Sequence, residues 1–326
     1  MKKITYLLGA GASANALPLI KSSNDKPGLS KALRDFVDSN KSPIINFNSW
    51  DNSQWMVLNE IPNKCIEFGT PDLYAKFLVE TGDNNSYKLL IRLMSNFFQF
   101  KENLQITNSI ELQGVFDFRA LTFLTVIAQN KKIPDNIRII SWNYDTQLEI
   151  AAARLRPFKV DGYKKIQKFT CWPNIPDGED FRNTDPFLFH LNGVAGYDYS
   201  KLNLAEKRTQ PFNFNDLDNP SLLSFAWEEE PNYGKQTFLE NRIQLAKTLV
   251  TGTQILIVVG YSFPFFNRII DDILLARMKP TLEKIYFQDP NLNGQQLIGQ
   301  FNFSPSFAEN IIHIKQTDNY HIPMEL

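Results

Sequence analysis

Five residues, Ser141-Trp142-Asn143-Tyr144-Asp145, stand where an apolar run from Ile137 ends and a helical pattern begins. A carboxamide at such a strand end offers both a donor and an acceptor, so Asn143 can hold a sugar hydroxyl or a water at a fixed angle. Asp145 can cap the helix that follows, with Leu148, Ile150, Ala152 and Leu155 as its apolar positions. His190 lies in a second apolar run, Phe187 to Leu191, directly before Asn192-Gly193, and is one of three histidines. Imidazole, with an ordinary pKa of about 6.5, can accept a proton from a hydroxyl or a water at neutral pH. Each residue alone also has a plain structural reading: a turn residue, a helix cap, a histidine closing a core strand.

Two small-residue turns supply a second kind of chemistry. The first follows Ile4 to Leu8 and reads Gly9-Ala10-Gly11-Ala12-Ser13-Ala14. Glycine lacks a Cβ, so the chain can turn tightly and a pyrophosphate can approach backbone N–H groups. The second, Gly260-Tyr261-Ser262-Phe263-Pro264, follows Gln254 to Val259. Its G-x-S start is not a hydrolase elbow, because Pro264 stands where that turn needs glycine. Gly234-Lys235 is followed by Gln236 and lacks the upstream glycine of a phosphate-binding lysine loop.

The elements that must position these residues are strands and helices in alternation. Ile4 to Leu8, Ile137 to Trp142, Phe187 to Leu191, Gln254 to Val259 and Lys284 to Phe287 read as buried strands, and the run Ile255 to Val259 suits a parallel sheet covered on both faces. Phe266 to Met278 carries Ile269, Ile270, Ile273 and Leu274 at helical spacing. The expectation is an α/β fold: a Rossmann-like, doubly wound, mostly parallel sheet with a large, mainly helical insertion. Residues 1–326 read as a single domain. The insertion spans residues 27–130, with helices over Ser30 to Val37, from Thr70-Pro71, over Leu89 to Phe100 and over Phe116 to Ile127. Residues 158–231, rich in Asn, Asp, Pro and Phe, read as a loop-rich cover over the sheet.

Composition sets the bounds. With 326 residues, 43% of them hydrophobic and 26 of them Phe, the chain can bury a sizeable core. A net charge of -1 supplies no global field for nucleic acid or anionic lipid, so no nucleic-acid partner is expected. Two cysteines, Cys65 and Cys171, are too few for a zinc ribbon or a disulfide framework, so no metal is expected. Lys2-Lys3, a brief apolar stretch and Ala12-Ser13-Ala14 imitate a secretory signal, but the stretch is short and Thr5 and Tyr6 interrupt it. The longest apolar run elsewhere, Ile255 to Val259, is far below the roughly 18 to 20 residues of a membrane span. A cytoplasmic protein with no membrane contact is expected.

The order of the blocks resembles the sirtuin superfamily. Gly9-Ala10-Gly11-Ala12-Ser13 resembles the sirtuin glycine turn, Trp142-Asn143-Tyr144-Asp145 its T-Q-N-I-D segment, the His190 strand its catalytic-histidine strand, and Gly260-Tyr261-Ser262 its G-T-S segment. Leu17-Pro18 is similar to the I-P that closes the family's cofactor loop, although the glycine usual before it is absent from Asn15-Ala16-Leu17-Pro18. The resemblance covers the sheet-forming half of the chain and not residues 27–130 or 195–245. Protein-deacylating sirtuins carry four zinc cysteines after the histidine strand, and no cysteine follows Cys171 here. The chain is therefore more similar to zinc-less bacterial sirtuin-like proteins, the effectors that hydrolyse NAD in antiphage defence.

That resemblance implies NAD as substrate, with no metal. It implies NAD binding by Gly9, Ala10, Gly11, Ser13, Pro18, Gly260, Tyr261 and Ser262. Asn143 would hold the attacking water or the ribose hydroxyls, His190 would accept a proton, and Asp145 would orient the sugar or the Asn143 loop. No sensor segment is evident, so activation is expected from a homo-oligomer or a separate activating partner. Two other readings stay open: a non-catalytic NAD- or ADP-ribose-binding sensor or scaffold, and an ADP-ribosyltransferase.

Overall fold

The computed structural model describes residues 1–22, 27–39, 52–107, 116–128, 133–155, 171–172, 187–195, 223–228 and 236–326. They form two compact units. A sheet unit comprises Met1–Ala12, Asp117–Asn192 and Ala226–Leu326, and a helical unit comprises Ser13–Phe116 and Gly193–Phe225.

The sheet unit is a Rossmann-like α/β fold. Its strands are β1 (Ile4–Leu8), β2 (Ile137–Ser141), β3 (Cys171–Trp172), β4 (Leu188–His190), β5 (Ile255–Val259), β6 (Lys284–Gln288) and β7 (Ile311–Ile314). They pair in parallel in the order β3-β4-β2-β1-β5-β6-β7. β1 and β5 are buried at every position, which is why β5 runs apolar without alternation and why the one polar residue of β1, Thr5, pairs its hydroxyl with that of Thr253 at 2.7 Å. The chain leaves β1 in both directions, so β1 stands at the topological switch point where open α/β sheets bind ligands.

Register gives this edge its geometry. Leu8 pairs with Ser141 on one side and Val259 on the other; Ser141 pairs with His190, and Val259 with Gln288. These are the last residues of β1, β2, β4, β5 and β6, so five strands end in one row. Side chains within such a row share a face. Helices α5 (Phe118–Ile127) and α6 (Gln147–Arg154) pack on each other, and Phe123 of α5 meets the Tyr6 ring edge-on at 4.8 Å. Helices α7 (Gln236–Val250) and α8 (Arg268–Met278) also pack on each other, and α8 holds the indole of Trp142. A last short helix, α9, covers Gln296–Gln300. Among the described residues no helix is long and apolar enough to cross a membrane.

The helical unit contains α1 (Leu29–Asp38), α2 (Asn52–Glu67), α3 (Pro71–Glu80) and α4 (Asn84–Thr107). Leu29, Leu33, Phe36 and Val37 bury one face of α1, and Phe36 packs edge-on against Phe97 of α4 at 5.7 Å. Thr70 caps α3 as expected, accepting the Leu73 N–H at 3.3 Å with Pro71 at the first helical position.

Several elements differ from the sequence reading. Helix α5, expected inside the insertion, lies in the sheet unit because its apolar face packs on Tyr6, and the first segment of the helical unit ends at Phe116. Strands β3 and β7 and helices α2 and α7 were not expected. Pro62 lies inside α2 and reads as a breaker, yet Leu58, Ile61 and Cys65 still bury one side of that helix. Residues 158–231 lie largely outside the described residues.

Candidate active site

The row of strand ends brings four expected blocks to the carboxyl edge of one sheet. The Gly9 turn leaves β1, Trp142 and Asn143 leave β2, His190 closes β4, and Gly260 leaves β5. β1 lies between β2 and β5, so its turn is flanked by the other two.

The two glycine turns touch each other. A Cβ on Gly9 would lie 2.6 Å from the Gly260 carbonyl oxygen, and one on Gly11 2.6 Å from the Gly260 Cα. Both glycines are therefore required by the passing backbone of Gly260, which itself has φ +57°. The Gly9 N–H donates to the Val259 carbonyl at 3.1 Å, Gly11 N–H to Gly260 at 3.0 Å and Ala12 N–H to Gly9 at 2.8 Å. Those amides, expected to face a pyrophosphate, are engaged within the protein. On the carbonyl side, the buried Arg119 guanidinium donates to the Gly11 and Ala12 oxygens at 3.1 and 2.9 Å, and the Tyr320 hydroxyl donates to Ala12 at 2.8 Å. Ser13 and Pro18 fall in the helical unit, where the Ser13 carbonyl accepts the Ala16 and Leu17 N–H groups and Pro18 is half-buried.

Within the second turn the residues divide. Ser262 is exposed, whereas Tyr261 is buried and stacks on Trp142 with ring centroids 6.0 Å apart. The Tyr261 hydroxyl donates to Asp271 Oδ2 at 2.7 Å and receives the Asn267 amide at 2.9 Å. The Trp142 indole N–H donates to Asp271 Oδ1 at 3.1 Å. One carboxyl group of α8 thus ties the β2 loop to the β5 loop. Burial pushes the Asp271 carboxyl well above the usual carboxylate range, against the pull of its Tyr261 and Trp142 donors. Phe263 has φ +53° and is held there by Tyr261, Phe287 and Phe301. A bulky residue in the left-handed region is a strained backbone position, of the kind concentrated at ligand-binding turns.

On the β2 side, the Asn143 peptide is fixed at both ends. Its N–H donates to Ser141 Oγ at 3.1 Å, and its carbonyl accepts from His190 Nδ1 at 3.3 Å. The Asn192 amide donates to the Trp142 carbonyl at 3.1 Å. Asp145 Oδ1 accepts the Gln147 N–H at 3.2 Å, so the carboxylate serves the start of α6 from one residue outside Thr146, the formal cap.

His190 has a partner that sequence reasoning missed. Its Nε2 lies 2.8 Å from Glu149 Oε1, and both residues are buried. Asn143 offers the ring a carbonyl and Glu149 a carboxylate, which are acceptors, so the arrangement suits an imidazolium with both nitrogens donating. Burial opposes that charge, but Glu149, its hydrogen bond, the Asn143 carbonyl and Asp145 outweigh it and raise the His190 pKa. The signal for Glu149 was present: α6 is buried from Gln147 to Ala152, and an acid in such a helix needs a partner. Asp271 was equally legible, because it shares the stripe of Leu274, Leu275 and Met278.

The raised His190 value fixes the sign of a pH effect. Folding binds this proton more tightly, so its stabilisation is fully present below about pH 6.5, the ordinary imidazole value, and is lost as pH rises through the higher folded value. Replacing His190 by Gln is therefore expected to lower stability more at pH 6 than at pH 9. Urea unfolding of both proteins at the two pH values checks this, and an equal loss at both would contradict it.

No family model matches the chain, and no curated protein matches it.

Proposed function

We propose that this chain is an NAD+ glycohydrolase that releases nicotinamide and ADP-ribose, of the zinc-less sirtuin-like kind that depletes NAD in antiphage defence. The observation that carries this reading is the single row Leu8, Ser141, His190 and Val259, from which the Gly9 turn, Asn143 and the Gly260 turn all depart. A dinucleotide needs a phosphate-binding turn beside sugar-binding polar groups, and a topological switch point supplies both.

In this reading the phosphates meet Ala10 of the first turn and Ser262 of the second, since the Gly260 N–H already donates to the Gln288 carbonyl at 3.0 Å. The nicotinamide ribose reaches Asn143 and the His190–Glu149 pair. Loss of nicotinamide leaves an oxocarbenium-like sugar, which gains from fixed dipoles in a site closed to bulk water. The Asn143 peptide is anchored at both ends, which fixes the backbone from which its carboxamide would reach a water or ribose hydroxyl. Tyr261 and Asp271 set the spacing of the two loops rather than touch the substrate.

Asn143→Ala is expected to lower nicotinamide release by about 10²- to 10³-fold while cooperative unfolding is retained. Chromatographic rates for the two proteins test it, and equal rates would contradict the reading. One observation favours a second reading, a non-catalytic NAD- or ADP-ribose-binding module: both nitrogens of His190 already face acceptors. Stoichiometric binding of NAD with no product would mark that alternative.

A further inference from the structure

The proton-accepting atom of this site need not be the histidine expected from the sequence. A peptide carbonyl accepts hydrogen bonds and never donates them, so the 3.3 Å contact to Asn143 requires a proton on His190 Nδ1. The 2.8 Å contact of Nε2 to Glu149 Oε1 accounts for the other nitrogen. An imidazolium in that position has no lone pair to offer. Glu149 has one: its Oε2 is buried and has no hydrogen-bond partner among the described residues. A buried carboxylate oxygen without a partner costs stability, and such an atom in a well-packed fold calls for an explanation. Glu149 lies in the first turn of α6, four residues after Asp145 and six after Asn143, so the chain that carries the water-holding amide also carries this oxygen.

We propose that Glu149 is the general base of the hydrolysis and that His190 is its positioning residue, an assignment that rests on the glycohydrolase reading. The bond between C1′ of the ribose and the nicotinamide nitrogen breaks, and its electron pair leaves with neutral nicotinamide. The oxygen of a water held by Asn143 forms the new bond to C1′, and its proton passes to Glu149 Oε2 before release to solvent. NAD+ and water thus become nicotinamide, ADP-ribose and one proton. His190 holds Oε1 throughout, so Oε2 keeps a fixed direction.

Two variants test the assignment. Glu149→Gln keeps the size of the side chain and an acceptor for His190 Nε2 but removes the base. Glu149→Asp keeps the carboxylate and shortens its reach. Initial rates over a range of NAD concentrations are expected to show kcat lowered about 10²- to 10⁴-fold in Glu149→Gln, with KM within about threefold of wild type. Glu149→Asp is expected to retain more activity than Glu149→Gln. A merely structural glutamate predicts the reverse order, because the isosteric amide fits better than the shorter acid. A Glu149→Gln kcat within threefold of wild type, or an amide variant more active than the aspartate variant, would overturn the assignment. Wild-type protein that binds NAD and releases no nicotinamide would instead overturn the glycohydrolase reading and the assignment with it.

Discussion

Replacing Gly260 by alanine is expected to lower the unfolding free energy by about 3 kcal/mol or more. Two independent costs combine at this position. With φ at +57° the backbone is in the left-handed region, where a Cβ is strained whatever the space around it. The space is also absent: the added carbon would lie 2.5 Å from the Gly11 carbonyl carbon and 2.7 Å from the Ala12 nitrogen. These are backbone atoms of a turn that Arg119 and Tyr320 hold from the far side, so they cannot give way cheaply. Gly82→Ala supplies the control, since Gly82 has φ +77° with no atom within 4 Å of an added Cβ. It should lose about 1 kcal/mol, the conformational cost alone. Urea unfolding of the two variants measures the difference, and equal small losses would show that the glycine turns do not pack as described.

The second large effect is expected at Arg119. Its Nε donates to both oxygens of Asp117, at 2.8 and 3.1 Å, its Nη1 to the Thr317 carbonyl at 3.1 Å, and its Nη2 to Gly11 and Ala12. The guanidinium thus neutralises a fully buried carboxylate and satisfies three carbonyls, a fork that lysine cannot reproduce. Arg119→Leu strands the Asp117 charge without its cation and is expected to cost about 3–5 kcal/mol. Removing the charge as well, in Asp117→Asn/Arg119→Leu, should recover part of that loss, because the penalty of a buried unneutralised carboxylate disappears. Asp117→Asn keeps an acceptor for the Arg119 N–H at the start of α5, so the recovery reports charge rather than the helix cap. Denaturant titrations of the single and double variants decide the matter. A loss below about 1 kcal/mol in Arg119→Leu would mean that the turn is held by its glycine contacts alone.

Much of the sheet unit was legible because burial on both faces leaves a plain mark. The runs Ile4 to Leu8 and Ile255 to Val259 read as buried strands, and they pair directly and in parallel with each other. The turns at Gly9 and Gly260 were found for the right composition and partly for the wrong reason. Their missing Cβ atoms make room first for each other's backbone, a fact that depends on β1 and β5 being neighbours and that no local pattern contains. Strand β7 escaped notice because three of its four residues are half-buried, so it lacks the continuous apolar run of the inner strands. Helix α2 was hidden by Pro62, whose local cost is outweighed by the buried positions Leu58, Ile61 and Cys65. His190 and Asn143 were read from their strand ends, and the register brings them together through Ser141. What the sequence withheld was not a buried acid but the partner of Glu149. Glu149 lies forty-one positions from His190, and their meeting is set by the packing of α6 against the sheet.

The central claim is that the carboxyl edge of this sheet cleaves NAD. Incubating the purified chain with NAD over a wide concentration range, and following nicotinamide and ADP-ribose by chromatography, tests it most directly. The account predicts that both products appear together, in equal amounts and in proportion to time and protein. NAD bound one per chain and recovered intact would contradict it, as would nicotinamide released while the ADP-ribose remains attached to a macromolecule.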